Sequence, residues 1–262
     1  MNPVITTIVQ RLGLGILTLF LVSLIIFSAL TMLPGDFGES VLGQQALPET
    51  VEAFRRELGL DKPAWQRYLS WVASVAQGDL GTSFSGRAAS GNDNSRMVIE
   101  LVAPRLKNTL FLAGVTAAIA VPLSLFLGIM AALKRNSIYD RTVNAVTLTT
   151  ISFPEFFLAY VLIVLMAKYF PTLANVTEDM LLGERLYKIA LPSLTMTLVI
   201  IAHMMRMTRA SIINLLSSPY VEMAQLKGVS KSKVILKHVM PNAWAPIATV
   251  IAFNLAYLVV GV

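Results

Sequence analysis

The chain contains no cysteine. Disulfides, thiolate chemistry and cysteine-based metal sites are therefore excluded. Histidine is nearly as scarce: His203 and His238 are the only two, too few to hold a metal alone. Charged residues make up only 14% of the chain, where a soluble domain carries about 25%. No Gly-x4-Gly-Lys-Ser/Thr phosphate loop occurs, so the chain has no means of its own to cradle ATP. Serines such as Ser124 and Ser152 have no base nearby in sequence, which leaves no catalytic residue to name. The two-residue alternation of barrel strands is missing, and so is any internal repeat.

What remains is apolar. Hydrophobic residues form 55% of the chain, in blocks of about twenty, enough to cross a hydrocarbon core. Backbone in lipid must satisfy its own hydrogen bonds, so these blocks read as helices. The fold class is an all-α, polytopic transmembrane bundle. Five spans can be read, at 12–32, 109–133, 142–170, 189–205 and 242–262. The third is interrupted by Pro154-Glu155, where a kink is expected. The first block is too long for a signal-peptide core and no small-x-small cleavage site follows, so it reads as a retained span. The chain then divides into a stub and first helix at 1–32, an extracytoplasmic segment at 33–108, and a transmembrane core at 109–262.

Lysine and arginine in short loops set the orientation. Lys134, Arg135 and Arg141 lie in one loop, and Arg206, Arg209, Lys227, Lys231, Lys233 and Lys237 in another. Segment 171–188 has only Arg185 and Lys188 against Glu178, Asp179 and Glu184. The first two loops are placed in the cytoplasm and the third outside. The N-terminus then falls in the cytoplasm and 33–108 outside. The net charge of +6 gathers beside the spans, where lipid and topology account for it; nucleic acid is not implied.

Segment 33–108 has structure of its own. Val51, Phe54 and Leu58 give 49–58 a helical apolar face, with Gly59 as its stop. A second amphipathic helix over 65–76 places Trp65, Leu69, Val72 and Val75 together. These helices read as a surface cap or as a surface that receives a delivery partner. Residues 87–95 are small and polar and read as a mobile loop. Residues 97–107 read as an interfacial approach to the second span, interrupted by Pro104.

Between the last two spans lies a polar, helix-forming stretch. Ser218 suits an N-cap and Pro219 the first turn. Glu222 suits the positive end of the helix dipole, and Gly228 the left-handed stop. A second helix is expected to open at Ser230 and to be disrupted or ended by Pro241. On local chemistry, with Lys227, Lys231, Lys233 and Lys237 nearby, an interfacial loop on anionic lipid and a docking element for a cytosolic protein both remain open.

Glu222, Ala224, Gly228, Ile235 and Pro241 fit the "EAA" pattern: Glu-Ala-Ala, three residues, Gly, then an apolar residue and Pro. Met223 and Leu226 depart from its usual alanines. Leu33-Pro34-Gly35-Asp36 follows the first span. Leu58-Gly59-Leu60-Asp61-Lys62-Pro63, Tyr68, Trp71 and Gly78-Asp79-Leu80-Gly81-Thr82-Ser83 follow in the outer segment. Arg105-Leu106, Asn108-Thr109-Leu110, Pro122, Gly128 and Ala131-Ala132 mark the second span. In this order the motifs resemble the dipeptide/oligopeptide permeases of ABC importers, over nearly the whole chain.

The resemblance implies a binding-protein-dependent permease subunit of the bacterial inner membrane. It implies a second permease subunit, two cytosolic ATPase subunits that hold the ATP and magnesium, and an extracytoplasmic solute-binding protein. Glu222, Met223, Ala224, Leu226, Lys227 and Gly228 would form the coupling element within 217–241, and di- or oligopeptides would be the cargo. Similar permeases move nickel chelates, opines and sugars. Family members continue into a sixth span, so the stop at Val262 suggests a truncation. The family also favours a small polar residue where Glu155 follows Pro154. That intramembrane carboxylate is expected to face the translocation path and help accept a cationic group such as a peptide α-amine, with Pro154 kinking the helix there, or to be a span-end or packing residue satisfied by a hydroxyl or lysine. His203 is expected to be an interfacial or packing residue. The alternative function is an ion-coupled secondary carrier, which the missing repeat and the single intramembrane acid disfavour.

Overall fold

The structure is a computed structural model. It describes residues 3–33, 35, 37–42, 47–83, 95–177 and 179–260. Pro34 and Asp36 of the outer motif, Glu178, and residues 87–94 of the small polar segment lie outside the described residues. The chain separates into two compact units, Met1–Pro104 and Arg105–Val262.

The first unit holds α1 (Pro3–Thr31), α2 (Phe37–Leu42), α3 (Pro48–Glu57) and α4 (Ala64–Ala76). A short antiparallel pair, β1 (Thr82–Ser83) and β2 (Arg96–Met97), follows. Nearly every side chain of α1 is exposed, as expected of a helix whose apolar surface belongs in lipid. Leu42, Val51 and Phe54 form a small core with Leu58 against it, which matches the spacing read from the sequence. Helix α3 ends in a Schellman motif: Gly59 takes φ +63°, and the Leu60 amide donates to the Arg55 carbonyl at 2.9 Å, satisfying an end-of-helix acceptor. On α4 the inward residue is Tyr68, at 4% exposure, while Trp65 and Leu69 are exposed. Tyr68 turns inward because its ring meets Phe20 and Phe27 and its hydroxyl meets Ser23 Oγ at 2.8 Å. The amphipathic reading of α4 missed this polar anchor.

The second unit is built on α5 (Val98–Leu133), α6 (Ile138–Ser152), α7 (Glu155–Met166), α8 (Leu182–Lys188) and α9 (Ala190–Leu216). Then come α10 (Pro219–Leu226), α11 (Lys231–Val234), a π-helical turn at Ile235–Val239, and α12 (Met240–Val260). Among the described residues, four helices, α1 included, are long and apolar enough to cross a membrane, or five if the bent pair α6–α7 counts as one span. Ala113, Thr116, Ala120, Ser124, Gly128, Ala131 and Ala132 are the buried residues of α5. They recur at helical spacing, so one face is small throughout. Such faces let membrane helices approach closely, and α9 fills the space with Ile200, Met204 and Met205. At Gly128 a Cβ would stand 2.7 Å from the Met205 carbonyl oxygen, so only glycine fits without movement.

Four local expectations change. Pro104 does not interrupt the approach to the second span; α5 runs through it. Pro154 breaks the third span outright, because α6 and α7 are bent by 105°. Phe153 is extended, as a residue before proline tends to be, and Pro154 becomes the N-cap of α7. The fourth span extends to Leu216, so Arg206 and Arg209 lie on the helix rather than in a loop. Pro241 does not end the helix begun after Ser230. The turn ahead of it widens, with the Met240 amide donating to the Ile235 carbonyl, and α11, the π turn and α12 continue as one. Widening loosens the hydrogen-bond ladder where the proline ring must fit.

Candidate functional site

Helix α10 is short and firmly placed. Pro219 occupies its first turn, and Glu222 also lies there. Its C-terminus closes in a second Schellman motif. Gly228 takes φ +73°, its amide donates to Gln225, and the Val229 amide donates to the Ala224 carbonyl at 3.2 Å. Val221 is fully buried and Ala224 is 8% exposed. Both join a core with Ala132, Ile212, Val234, Val239, Ala243 and Ile247, which draws on α5, α9, α11, the π turn and α12. Burying one valine contributes roughly 1.5–3 kcal/mol, so α10 is fixed to the bundle by side chains as well as by its caps.

The opposite face is bare. Tyr220, Met223 and Leu226 are exposed, at 41%, 54% and 76%, and their three-residue spacing lines them along one side. Glu222 and Lys227 are exposed as well. The six sequence-named residues therefore divide. Ala224 holds the helix down, Gly228 ends it, and Glu222, Met223, Leu226 and Lys227 face outward. Tyr220 was missed, although its place one turn before Met223 marks the same stripe. The N-cap also differs: the Ser218 hydroxyl donates back to the Leu215 carbonyl and makes no cap bond to a helix amide.

A buried ion pair ties α6 to α9 near this region. Arg209 donates from Nε and from one terminal nitrogen to the two Asp140 oxygens, at 2.7 and 2.8 Å. The Asn136 amide and the Asn144 side chain also donate to Asp140, at 2.9 and 2.7 Å. Asp140 is 2% exposed. Sequence reading passed over it, since only the basic residues of its loop bore on topology.

Glu155 opens α7 and is half-buried. The Tyr257 hydroxyl, from α12, donates to its carboxylate. Pro154 is exposed at the break. His203 is exposed on the wall of a cavity of about 640 Å³ between α9 and α12. Among the described residues, no three of His, Cys, Asp or Glu gather as a metal site would require.

These features, a many-span bundle with a short, capped helix held before its last span, find a counterpart among known proteins. The family described as "Binding-protein-dependent transport system inner membrane component" matches residues 124–262. The chain belongs to that family. It is an inner-membrane permease of the ABC importer class, a multi-pass transport subunit. The companion N-terminal family, "Binding-prot-dependent transport system membrane comp, N-term", matches residues 4–113 of the permease. Among curated proteins, the permease is 35% identical to the glutathione transport system permease protein GsiC of Escherichia coli (strain K12). The match covers 97% of the permease and 79% of that protein. GsiC of Shigella dysenteriae serotype 1 (strain Sd197) matches at the same identity and coverage. GsiC of Shigella boydii serotype 4 (strain Sb227) is 34% identical over the same shares.

Proposed function

We propose that this permease imports di- or oligopeptides, glutathione-like compounds among them. A separate cytosolic ATPase pair would drive it, docked on the 217–241 segment. The observation that carries the coupling half is the division of α10. Val221 and Ala224 fasten it to five other elements, while Tyr220, Met223 and Leu226 stand exposed beside Glu222 and Lys227. A helix that is rigid toward the bundle and apolar on its free side can transmit a push. A flexible loop on lipid needs neither property. ATP must favour one arrangement of its own subunits for this coupling to work, and α10 is the part that would feel the change. Lysine and arginine distribution supports a cytoplasmic N-terminus and a cytoplasmic α10. With that orientation α2, α3 and α4 face outside, where a solute-binding protein would deliver cargo to this subunit and a second permease subunit. The cargo class rests on the named relatives, which are glutathione permeases.

The test is co-purification and uptake. The permease, expressed with its partners, should bring down an ATPase. Met223→Asp and Leu226→Asp together should abolish that association and ATP-driven uptake, while the permease remains folded because both side chains are exposed. Uptake driven by an ion gradient with no ATPase present would overturn the proposal in favour of a secondary carrier. Family membership does not favour that outcome.

A further inference from the structure

Glu155 is placed as a ligand-binding group would be. It lies at the break between α6 and α7, in a candidate span bent by 105°. Non-helical backbone at membrane depth is tolerated where it is buried in protein or lines a wet cavity. Among the described residues Glu155 forms no salt bridge. Its recorded side-chain partner is a neutral donor, the Tyr257 hydroxyl. A carboxylate offers about four acceptor positions, so one hydroxyl leaves most of them open. Among the described residues no cation pairs with it, and a carboxylate held in an apolar span calls for a partner.

Tyr257 also belongs to a second feature. It lines the cavity between α9 and α12, together with His203, Met207, Thr249, Phe253 and Asn254. At about 640 Å³ the cavity falls in the range of small-molecule sites, roughly 300–1,000 Å³. Its wall is mainly apolar, with a few polar groups. A single hydroxyl therefore joins an apolar chamber on one side to an uncompensated carboxylate on the other.

We propose that Glu155 and Tyr257 form an intramembrane subsite for a primary ammonium group on the transported solute. The cavity between α9 and α12 takes the solute's less polar body. An ammonium suits the site because it brings three donors and one positive charge to a carboxylate with open acceptor positions. The hydroxyl of Tyr257 keeps the carboxylate oriented when the site is empty and shares it when the solute arrives. The proposal rests on the peptide-importer reading, since peptides and glutathione carry such a group.

The absence of cysteine permits a direct test in the full transporter, reconstituted with its partner subunits. In Tyr257→Cys the introduced thiol is the only one within residues 1–262. Methanethiosulfonate ethylammonium should label it at least threefold faster than the ethylsulfonate reagent, once each rate is divided by that reagent's rate with a free thiol in solution. Adding Glu155→Gln should bring the two rates together. Dialanine supplied with the binding protein should slow labelling, and Asn254→Cys on the same wall should behave alike if Tyr257→Cys fails to assemble. In uptake, Glu155→Gln should lower the initial rate for dialanine and for glutathione at least tenfold, while Glu155→Asp stays within about threefold of the original. Equal labelling by both reagents, a ratio insensitive to Glu155→Gln, or no protection by dialanine would overturn the subsite. If the unmodified transporter takes up neither probe, the peptide reading fails instead, and the labelling ratio still reports on the carboxylate.

Discussion

Asp140 and Glu155 flank the same helix and are treated in opposite ways. Asp140, in the first turn of α6, receives both arms of Arg209, a backbone amide and the Asn144 amide. Glu155, just past the end of α6, receives one tyrosine hydroxyl. Both carboxylates lie at least half-buried in the bundle. One has its acceptor positions filled and its charge cancelled; the other has neither. A filled carboxylate holds parts together. An unfilled one is free to meet something that arrives. The difference separates the structural pairing of α6 with α9 from the break after α6, where Glu155 of α7 meets Tyr257 of α12.

Removing each acid should break this symmetry most visibly. Asp140→Ala leaves the Arg209 guanidinium in a mainly buried site without its partner, which costs about 3–5 kcal/mol for a buried pair. Arg209 keeps 24% exposure, so water can reach it and the lower end, about 3 kcal/mol, is expected. Thermal unfolding in detergent should register this as a large drop. The Asp140→Ala/Arg209→Ala double change should lose less than the two single losses added together. Glu155→Gln should cost under about 1 kcal/mol, because the amide oxygen still accepts from Tyr257 and no paired charge is stranded. Equal losses at the two sites would erase the distinction.

The second effect concerns space rather than charge. Near Asp140 and Arg209 the bundle is closed: α5 and α9 touch at Gly128, where a Cβ would lie 2.7 Å from the Met205 carbonyl and 2.9 Å from Thr208 Cβ. Backbone cannot swing aside as a side chain can. Gly128→Ala should therefore cost about 1–3 kcal/mol, the range for overpacking a filled interior. Gly114, on the same helix, has nothing within 4 Å of its Cβ position, so Gly114→Ala should leave the melting temperature nearly unchanged. The pair of melts measures how sharply tight and open regions are divided.

Much of this was legible in the chain and some of it was not. Long apolar blocks fixed the spans, because lipid leaves helices as the way to cross. Val51, Phe54 and Leu58 showed the α3 face through spacing alone, and Gly59 and Gly228 marked helix ends because φ > 0 favours glycine. The Pro154 break was visible, though its sharpness was not, since a kink and a full break share one residue. The pairs Asp140–Arg209 and Glu155–Tyr257 stayed hidden. Their members lie 69 and 102 residues apart, and local periodicity carries no information across such a gap. Tyr68 was missed for a related reason: its hydroxyl partner, Ser23, lies on another helix.

The third prediction returns to α10, which belongs to the closed end. Gly228 sits at φ +73° with nothing within 4 Å of its Cβ position, so conformation, not crowding, opposes a side chain there. Gly228→Ala should cost about 1–2 kcal/mol, the penalty for placing an L-residue in the left-handed region. It should also loosen the Schellman bonds that fix α10. The melt and the yield of co-purified ATPase should fall together. A lower yield at an unchanged melting temperature would show that Gly228 acts at the docking surface, not through helix rigidity.

The smallest effect should come from Ser218, and it tests whether polar groups at the closed end are as well used as Asp140. An N-cap serine that accepts from a helix amide is worth about 1 kcal/mol. Ser218 has the extended backbone of an N-cap, φ −81° and ψ 146°, but its side chain caps nothing; its hydroxyl donates to the Leu215 carbonyl. That carbonyl also accepts from the Ser218 amide at 3.1 Å, so losing the hydroxyl does not orphan it. Ser218→Ala should therefore cost less than about 0.5 kcal/mol, below the range of a working cap. Ser218→Asp is the sharper variant. A carboxylate at this position can accept from the free amides of the first turn and meets the positive end of the helix, so the melting temperature should rise slightly. If Ser218→Ala instead costs as much as Gly228→Ala, the hydroxyl is capping the first turn of α10 in solution.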